Sequence, residues 1–241
     1  MTSYALTDVG MKRQINQDSI FISDESIGAL PNLYIVADGM GGELAGDYAS
    51  KRCVEIVTEE IAKSNETEPV KIMEQAIQTA NKLLYYESKS DAKKTGMGTT
   101  FVAATVYDKR LYVANVGDSR LYVANSTKLT QITKDHSVVA ELVRTGELDE
   151  DDARTDQRKN MITRAIGAED SVNVDYFDVK LRGTERVLLC SDGLTNMVED
   201  KDIFKILKSS DSIENKAIRL VELANNNGGK DNISAVVLDI S

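Results

Sequence analysis

The sequence predicts an α+β domain, and three observations carry that expectation. Short apolar runs rich in strand formers stop at tight polar turns, as in Leu33 to Ala37 before Asp38 and Arg186 to Cys190 before Ser191-Asp192-Gly193. Three more runs, Thr100 to Tyr107, Leu111 to Val116 and Leu121 to Ala124, follow one another through D-K-R and G-D-S-R and read as an antiparallel meander. Helical stripes gather in two pairs, one after Gly42 and one after Lys201. At 241 residues and 41% hydrophobic, the chain suits one domain with a real core.

In chain order, Tyr4 to Val9 alternates weakly and suits an early or edge strand. A polar turn, G-M-K-R-Q-I-N-Q-D-S, then crowds Arg13, Asn16, Gln17 and Asp18 ahead of a second run, Ile20 to Ile22. It reads equally as a hairpin loop and as a phosphate contact, since a guanidinium forks onto phosphate oxygens. Leu33 to Gly42 reads L-Y-I-V-A-D-G-M-G-G, which sets the carboxylate of Asp38 and flexible backbone at a strand end. Carboxylate and carbonyl oxygens are the natural ligands of hard divalent cations.

Tyr48, Cys53, Ile56, Val57 and Ile61 mark one helix. Met73, Ile77, Ala80 and Leu84 mark a second after Pro69. These stripes are core faces. After the meander, residues 137–162 hold a brief amphipathic segment, V-V-A-E-L-V, and then an almost wholly polar stretch, which suits a surface excursion or lid. Asp149 and Asp151 form a D-x-D within it, but no buried strand leads to them, so an aspartyl-phosphate mechanism is set aside. Strands return at Val174 to Leu181 and Arg186 to Cys190. Helices follow near Lys201 to Lys208 and Ile213 to Asn225, and N-N-N-G-G-K-D-N brings Asp231 and Asn232 up to the last strand, Ile233 to Ile240. That Gly-Gly-Lys lacks the spacing of a nucleotide-binding loop.

Composition narrows the function. A formal charge of −10 argues against nucleic acid or an anionic membrane as partner, and no apolar run reaches spanning length. The N-terminus lacks the blocks of a secretion signal, and Cys53 and Cys190 read as reduced core residues, so a cytoplasmic location is expected. Neither cysteine has an arginine six residues on (Glu59 and Asn196 stand there), which excludes cysteine-based phosphatase chemistry. A single histidine, His136, rules out a histidine-rich zinc site.

Five carboxylates, Asp18, Asp38, Asp118, Asp192 and Asp231, thus sit at strand ends or tight turns. Brought together they would repel one another and raise each other's pKa unless cations intervene. The ordered set R-Q-I-N-Q-D, D-G-M-G-G, G-T-T (Gly98 to Thr100), G-D-S-R, D-H-S, S-D-G-L-T and G-K-D-N resembles the metal-dependent type 2C serine/threonine protein phosphatases, above all their compact bacterial members. The match runs in order over essentially the whole chain, and the seven motifs together are specific.

The resemblance implies a four-layer αββα sandwich, two antiparallel sheets flanked by pairs of helices, forming one catalytic domain over 1–241 with a flap at about 137–163. It implies Mn²⁺ or Mg²⁺, two core ions and a third, and direct attack of a bridging hydroxide on phosphoserine or phosphothreonine. Asp38 would bridge the core ions with the Gly39 carbonyl on one of them; Asp192 and Asp231 would hold the other; Asp18 would act largely through water. Asp118 with Asp192 would form the third site, and Arg13 would hold the substrate phosphate. The implied partners are phosphoprotein substrates and a cognate serine/threonine kinase, with the phosphatase itself a monomer. One position departs: some members, chiefly eukaryotic, carry a histidine proposed as general acid where this chain has Met40. A binding module without activity would be expected to have lost a bridging Asp or the phosphate Arg, and none is lost here. His136 is then the only imidazole left, and a local structural role is expected of it.

Overall fold

The computed structural model describes residues 1–42, 45–153 and 155–240, with the side chains of Glu150 and Asp151 outside that description. The strands are β1 (Thr2–Asp8), β2 (Asp18–Ser23), β3 (Leu33–Met40), β4 (Gly98–Thr99), β5 (Phe101–Tyr107), β6 (Arg110–Val116), β7 (Arg120–Ala124), β8 (Leu129–Gln131), β9 (Asp175–Lys180), β10 (Arg186–Cys190) and β11 (Ile233–Asp239). One sheet runs β1-β11-β10-β7-β8; the other runs β2-β3-β5-β6-β9, with β4 added beside β3, and every pairing is antiparallel. The helices are α1 (Ala45–Lys63), α2 (Pro69–Ser90), α3 (Val138–Thr145), α4 (Glu150–Ala153), α5 (Asp192–Thr195), α6 (Asp200–Lys208) and α7 (Ile213–Asn226).

Period-two alternation explains the layering. In β3, Tyr34 and Val36 face the other sheet, where they meet Leu121, Leu189, Val236 and Leu238. Their neighbours Leu33, Ile35 and Ala37 face outward into the cluster built by α1 and α2, with Cys53, Ile61, Met73, Ile77 and Leu84. The second sheet repeats the arrangement: Tyr122, Leu188, Cys190, Ala235 and Val237 look outward to α6 and α7, with Ile203, Leu207, Leu220 and Ala224. A run buried on both faces has no polar side, and for that reason the central strands appear in the sequence as unbroken apolar stretches. Helix–sheet–sheet–helix layering results, as the motif set implied. Both cysteines are unpaired and buried, one in each outer layer.

The meander is corrected by the structure. β5 and β6 pair as a hairpin, but β7 leaves their sheet and joins β10 and β8 in the other. Gly117 makes the transfer at φ +98°, a conformation open to glycine, where an added Cβ would lie 2.7 Å from the Thr100 side chain. A hairpin turn and a sheet-to-sheet crossing carry the same local signature, and only the strands that later pair with β7 distinguish them. Asp118, the residue after Gly117, consequently sits between the sheets and not at a hairpin tip.

Residues 137–163 form an excursion closed at its base. Val138 N–H donates to Met161 O and Thr163 N–H to His136 O, and Ser137 bridges Ile162. Ser137 caps α3 through its side chain, and Gly146, left-handed at φ 78°, ends it.

Candidate active site

Each of the five acids is placed by a strand end. Asp18 opens β2 and lies directly opposite Asp38 of β3 in the antiparallel register. Asp118 occupies the crossing from β6 to β7, Asp192 begins α5 just beyond β10, and Asp231 stands two residues ahead of β11. Two acids therefore come from one sheet, two from the other, and one from the link between them. Arg13, Asp38, Gly39, Met40, Asp118, Asp192 and Asp231 line one cleft of about 620 Å³.

The two Asp-Gly repeats have one steric cause. An added Cβ on Gly39 would lie 2.0 Å from the carbonyl oxygen of Gly46 in the first turn of α1, and one on Gly193 would lie 1.9 Å from that of Asn232. In each place two backbones that carry or flank acids pass closer than any side chain allows. The glycines are demanded by approach; neither has the positive φ of a turn glycine. Gly42, in the same glycine run, meets nothing within 4 Å.

Groups that the sequence reading left without a role hold the acids in place. Thr100 Oγ1 accepts the Asp38 amide at 2.9 Å, Thr100 N–H and Thr99 Oγ1 both donate to the Asp38 carbonyl, and Thr100 Oγ1 meets Ser119 Oγ at 2.8 Å. The G-T-T motif is thus the cradle of Asp38. Asp18 is buried, and its Oδ2 accepts from Ser191 Oγ and Ser234 Oγ, both at 2.7 Å. Asn196 Nδ2 donates to Asp192 Oδ2 at 2.9 Å. Arg13 NH2 donates to Asp231 Oδ2 at 2.9 Å, so the guanidinium read as a phosphate contact rests on an acid read as a ligand.

The electrostatics follow from burial and crowding. Burial first, then Asp18, Asp192, Asp118 and Asp231, push the Asp38 carboxyl well above the usual carboxylate range. Burial raises Asp18 to about 7 against the opposing bonds from Ser234 and Ser191, with Asp192 and Asp231 adding to the rise. Asp192 is raised to about 6, by burial and Asp231, and Asp118 well above its ordinary value, by burial, Asp192 and Asp135.

This donor set fits hard cations. Asp18 Oδ1 and Asp192 Oδ1 are buried without a hydrogen-bond partner, the donors are all oxygen, and the repulsion among them calls for positive charge. Among the described residues no three acidic, histidine or cysteine side chains stand ready as a complete ligand cage. Asp231 is turned onto Arg13 and Asp18 onto its two serines. Of the D-x-D, Asp149 stands ahead of α4 and does not line this cleft; the side chain of Asp151 falls outside the described residues.

His136 is held away from the cleft. Its buried ring accepts the Gly117 amide on Nδ1 at 3.1 Å, and Nε2 lies 3.3 Å from Asp175 Oδ2 and 3.2 Å from Arg164 NH1. An accepting Nδ1 places the proton on Nε2, facing Asp175. Burial lowers the imidazole pKa, with Asp175 opposing and Arg164 assisting. The neighbouring Asp135 is held by Arg120 through Nε and NH2, and Arg120 also reaches the Tyr122 hydroxyl, so this arginine of G-D-S-R is spent on Asp135 and Tyr122.

The protein phosphatase 2C model matches residues 12–233. The chain belongs to the protein phosphatase 2C family. It is 41% identical over 239 residues to the serine/threonine phosphatase stp of Listeria welshimeri, covering 97% of this chain and 93% of that one. Among solved structures it resembles the serine/threonine phosphatase Stp1 from Staphylococcus aureus, with TM-score 0.93, 36% identity and coverage of 99% and 94%. It also resembles the catalytic domain of the serine/threonine protein phosphatase PstP in complex with two manganese ions, with TM-score 0.88, 32% identity and coverage of 99% and 97%. The αββα architecture is therefore that of type 2C phosphatases, and the acid-lined cleft lies within the matched span.

Proposed function

We propose that this type 2C phosphatase hydrolyses phosphoserine and phosphothreonine in proteins, using Mn²⁺ or Mg²⁺ held by the five acids. The observation that supports it best is the convergence of five acids from both sheets: Asp38, Asp118, Asp192 and Asp231 line the cleft that Arg13 shares, Asp18 is buried opposite Asp38, and Asp18 and Asp192 each keep a buried oxygen without a partner. Asp38 and the Gly39 carbonyl, Asp192 and Asp231 would hold two cations, with Asp18 behind them; Asp118 and Asp192 would hold a third. Bound there, cations lower the pKa of water and take up charge on phosphoryl oxygens.

The remaining work falls to the protein's own groups. Arg13 exchanges its bond to Asp231 for the substrate phosphate, whose oxygens match the guanidinium fork. Ser191 and Ser234 fix Asp18 so that its second oxygen faces its neighbours. Met40 carries no proton to give and both ring nitrogens of His136 are engaged, so the leaving alkoxide takes its proton from water in the cleft. Asn160 and Ile162 of the excursion stand in the cleft wall, which supports reading 137–163 as the flap that selects protein substrates. Two buried unpaired thiols suit a reducing cytoplasm, where a monomer of one catalytic domain would oppose a serine/threonine kinase. Steady-state turnover of a phosphothreonine peptide tests the reading: activity should require added Mn²⁺ or Mg²⁺ and vanish in excess chelator. Undiminished turnover in chelator, or a trapped phosphoenzyme, would overturn it.

A further inference from the structure

The G-K-D-N motif carries a residue that the acid chemistry leaves unused. Asn232 is buried, and its side chain makes three hydrogen bonds, all to the loop that bears Arg13. Nδ2 donates to Val9 O at 2.9 Å and to Ile15 O at 3.0 Å, and Oδ1 accepts Gln17 N–H at 2.8 Å. These partners lie 215 to 223 residues away in sequence, on both flanks of the arginine. Val9 precedes it, Ile15 and Gln17 follow it, and the span between is drawn into a closed loop around one amide. The backbone N–H of Asn232 in turn donates to Asp231 Oδ1 at 2.9 Å, while Asp231 Oδ2 takes the guanidinium.

Arg13 itself is held by little else. Its side chain is half exposed and is paired with Asp231, an ion pair that substrate must break. A long exposed arginine retains substantial rotamer freedom, and its contribution to binding depends on how far the backbone beneath it is already fixed. A planar amide offering two donors and one acceptor closes such a loop from outside it, while within the loop Asn16 Nδ2 donates to Thr7 Oγ1 and its Oδ1 accepts the Asp18 amide.

We infer that Asn232 is a positioning residue for substrate phosphate: it holds the 9–17 loop so that Arg13 is pre-oriented over the acid cluster. The inference rests on reading Arg13 as the phosphate contact. A double-mutant cycle tests it, with Arg13→Ala, Asn232→Ala and the double variant assayed on a phosphothreonine peptide at saturating Mn²⁺, and Mn²⁺ affinity measured alongside. Arg13→Ala should raise KM about 10- to 100-fold, the range of a charge-assisted hydrogen bond. Asn232→Ala should raise KM about tenfold with a smaller change in kcat, and should add less than twofold in the Arg13→Ala background. Asn232→Ser, a milder loss of the same bonds, carries the same cycle if the alanine variant does not fold. If Arg13→Ala raises KM but the two effects multiply, or if the Asn232 loss falls on kcat or on Mn²⁺ affinity, Asn232 does not act through Arg13 and the inference fails alone. If Arg13→Ala leaves KM unchanged, the reading of Arg13 fails and the inference with it.

Discussion

Substituting Gly193 by alanine confronts the close backbone approach directly. The new Cβ would sit 1.9 Å from Asn232 O, about 1.5 Å short of ordinary van der Waals contact at 3.4 Å. The obstacle is backbone on both sides, so no rotamer change relieves it, and the start of α5 must separate from the approach to β11. Overpacking a core with side chains costs about 1–3 kcal/mol, and a rigid backbone clash belongs at or above the top of that range. For a chain of this size about 3 kcal/mol corresponds to a Tm lowered by roughly 6–12 °C. Separation would also part Asp192 from Asp231, and kcat/KM should fall at least a hundredfold, because a misplacement of about 1 Å costs on that order. Gly42→Ala is the matched control: its Cβ meets nothing within 4 Å, and its φ lies outside the left-handed range. It should shift Tm by less than about 2 °C. Thermal melts and phosphopeptide kinetics on the two variants decide the matter. A Gly193→Ala protein that melts and turns over like wild type would show that the steric account of the Asp-Gly repeats is wrong.

Three further outcomes follow from the same geometry. In chelator, the native state holds protons on Asp18 (about 7) and Asp192 (about 6) that the unfolded chain, with ordinary carboxylates, has released. Native protons exceed unfolded ones between about pH 4 and 7, so metal-free stability should decline as pH rises through that window; Asp18→Asn should flatten the decline in melts run across it. Thr100→Val keeps shape but strands the Asp38 amide and the Ser119 hydroxyl, and should cost about 1–3 kcal/mol in denaturant titrations; a change under 0.5 kcal/mol would contradict the cradle. His136→Ala should alter kcat for p-nitrophenyl phosphate and for a phosphoserine peptide by similar factors, since its ring serves Gly117 and Asp175. A loss of about a hundredfold on the peptide alone would mark a general acid instead.

How much of this was legible in the sequence depends on the distance over which each feature is determined. Central strands declared themselves because burial on both faces leaves an unbroken apolar run, and α1, α2, α6 and α7 because their stripes persist for several turns. The two-residue β4, the three-residue β8 and the four-residue α5 are too short for any period to register. Asp38 and Asp192 stood out through the repeated pattern of strand, Asp and Gly, and Asp18, Asp118 and Asp231 as further acids at strand ends or tight turns. Their supports did not: Ser191, Ser234 and Asn232 are ordinary polar residues until folding brings partners from 173 to 223 positions away. The crossing of β7 was hidden for the same reason, since its partners in β8 and β10 follow it in the chain. His136 was placed in the expected local role, by the left-handed Gly117 whose amide it receives.

That crossing at Gly117 has a mechanical consequence. The acids are distributed over both leaves of the sandwich and the strand link between them, so anything that binds all five works as a rivet through the two leaves at one rim. Neither leaf holds all five acids: residues 18 and 38 belong to one, 192 follows β10 and 231 precedes β11 in the other, and 118 belongs to the link between them. Loss of the leaf-to-leaf packing around Tyr34, Val36, Leu189 and Val236 would therefore scatter the five acids before either leaf had melted. In this fold the working cleft doubles as a gauge of whether the two halves of the molecule are still joined.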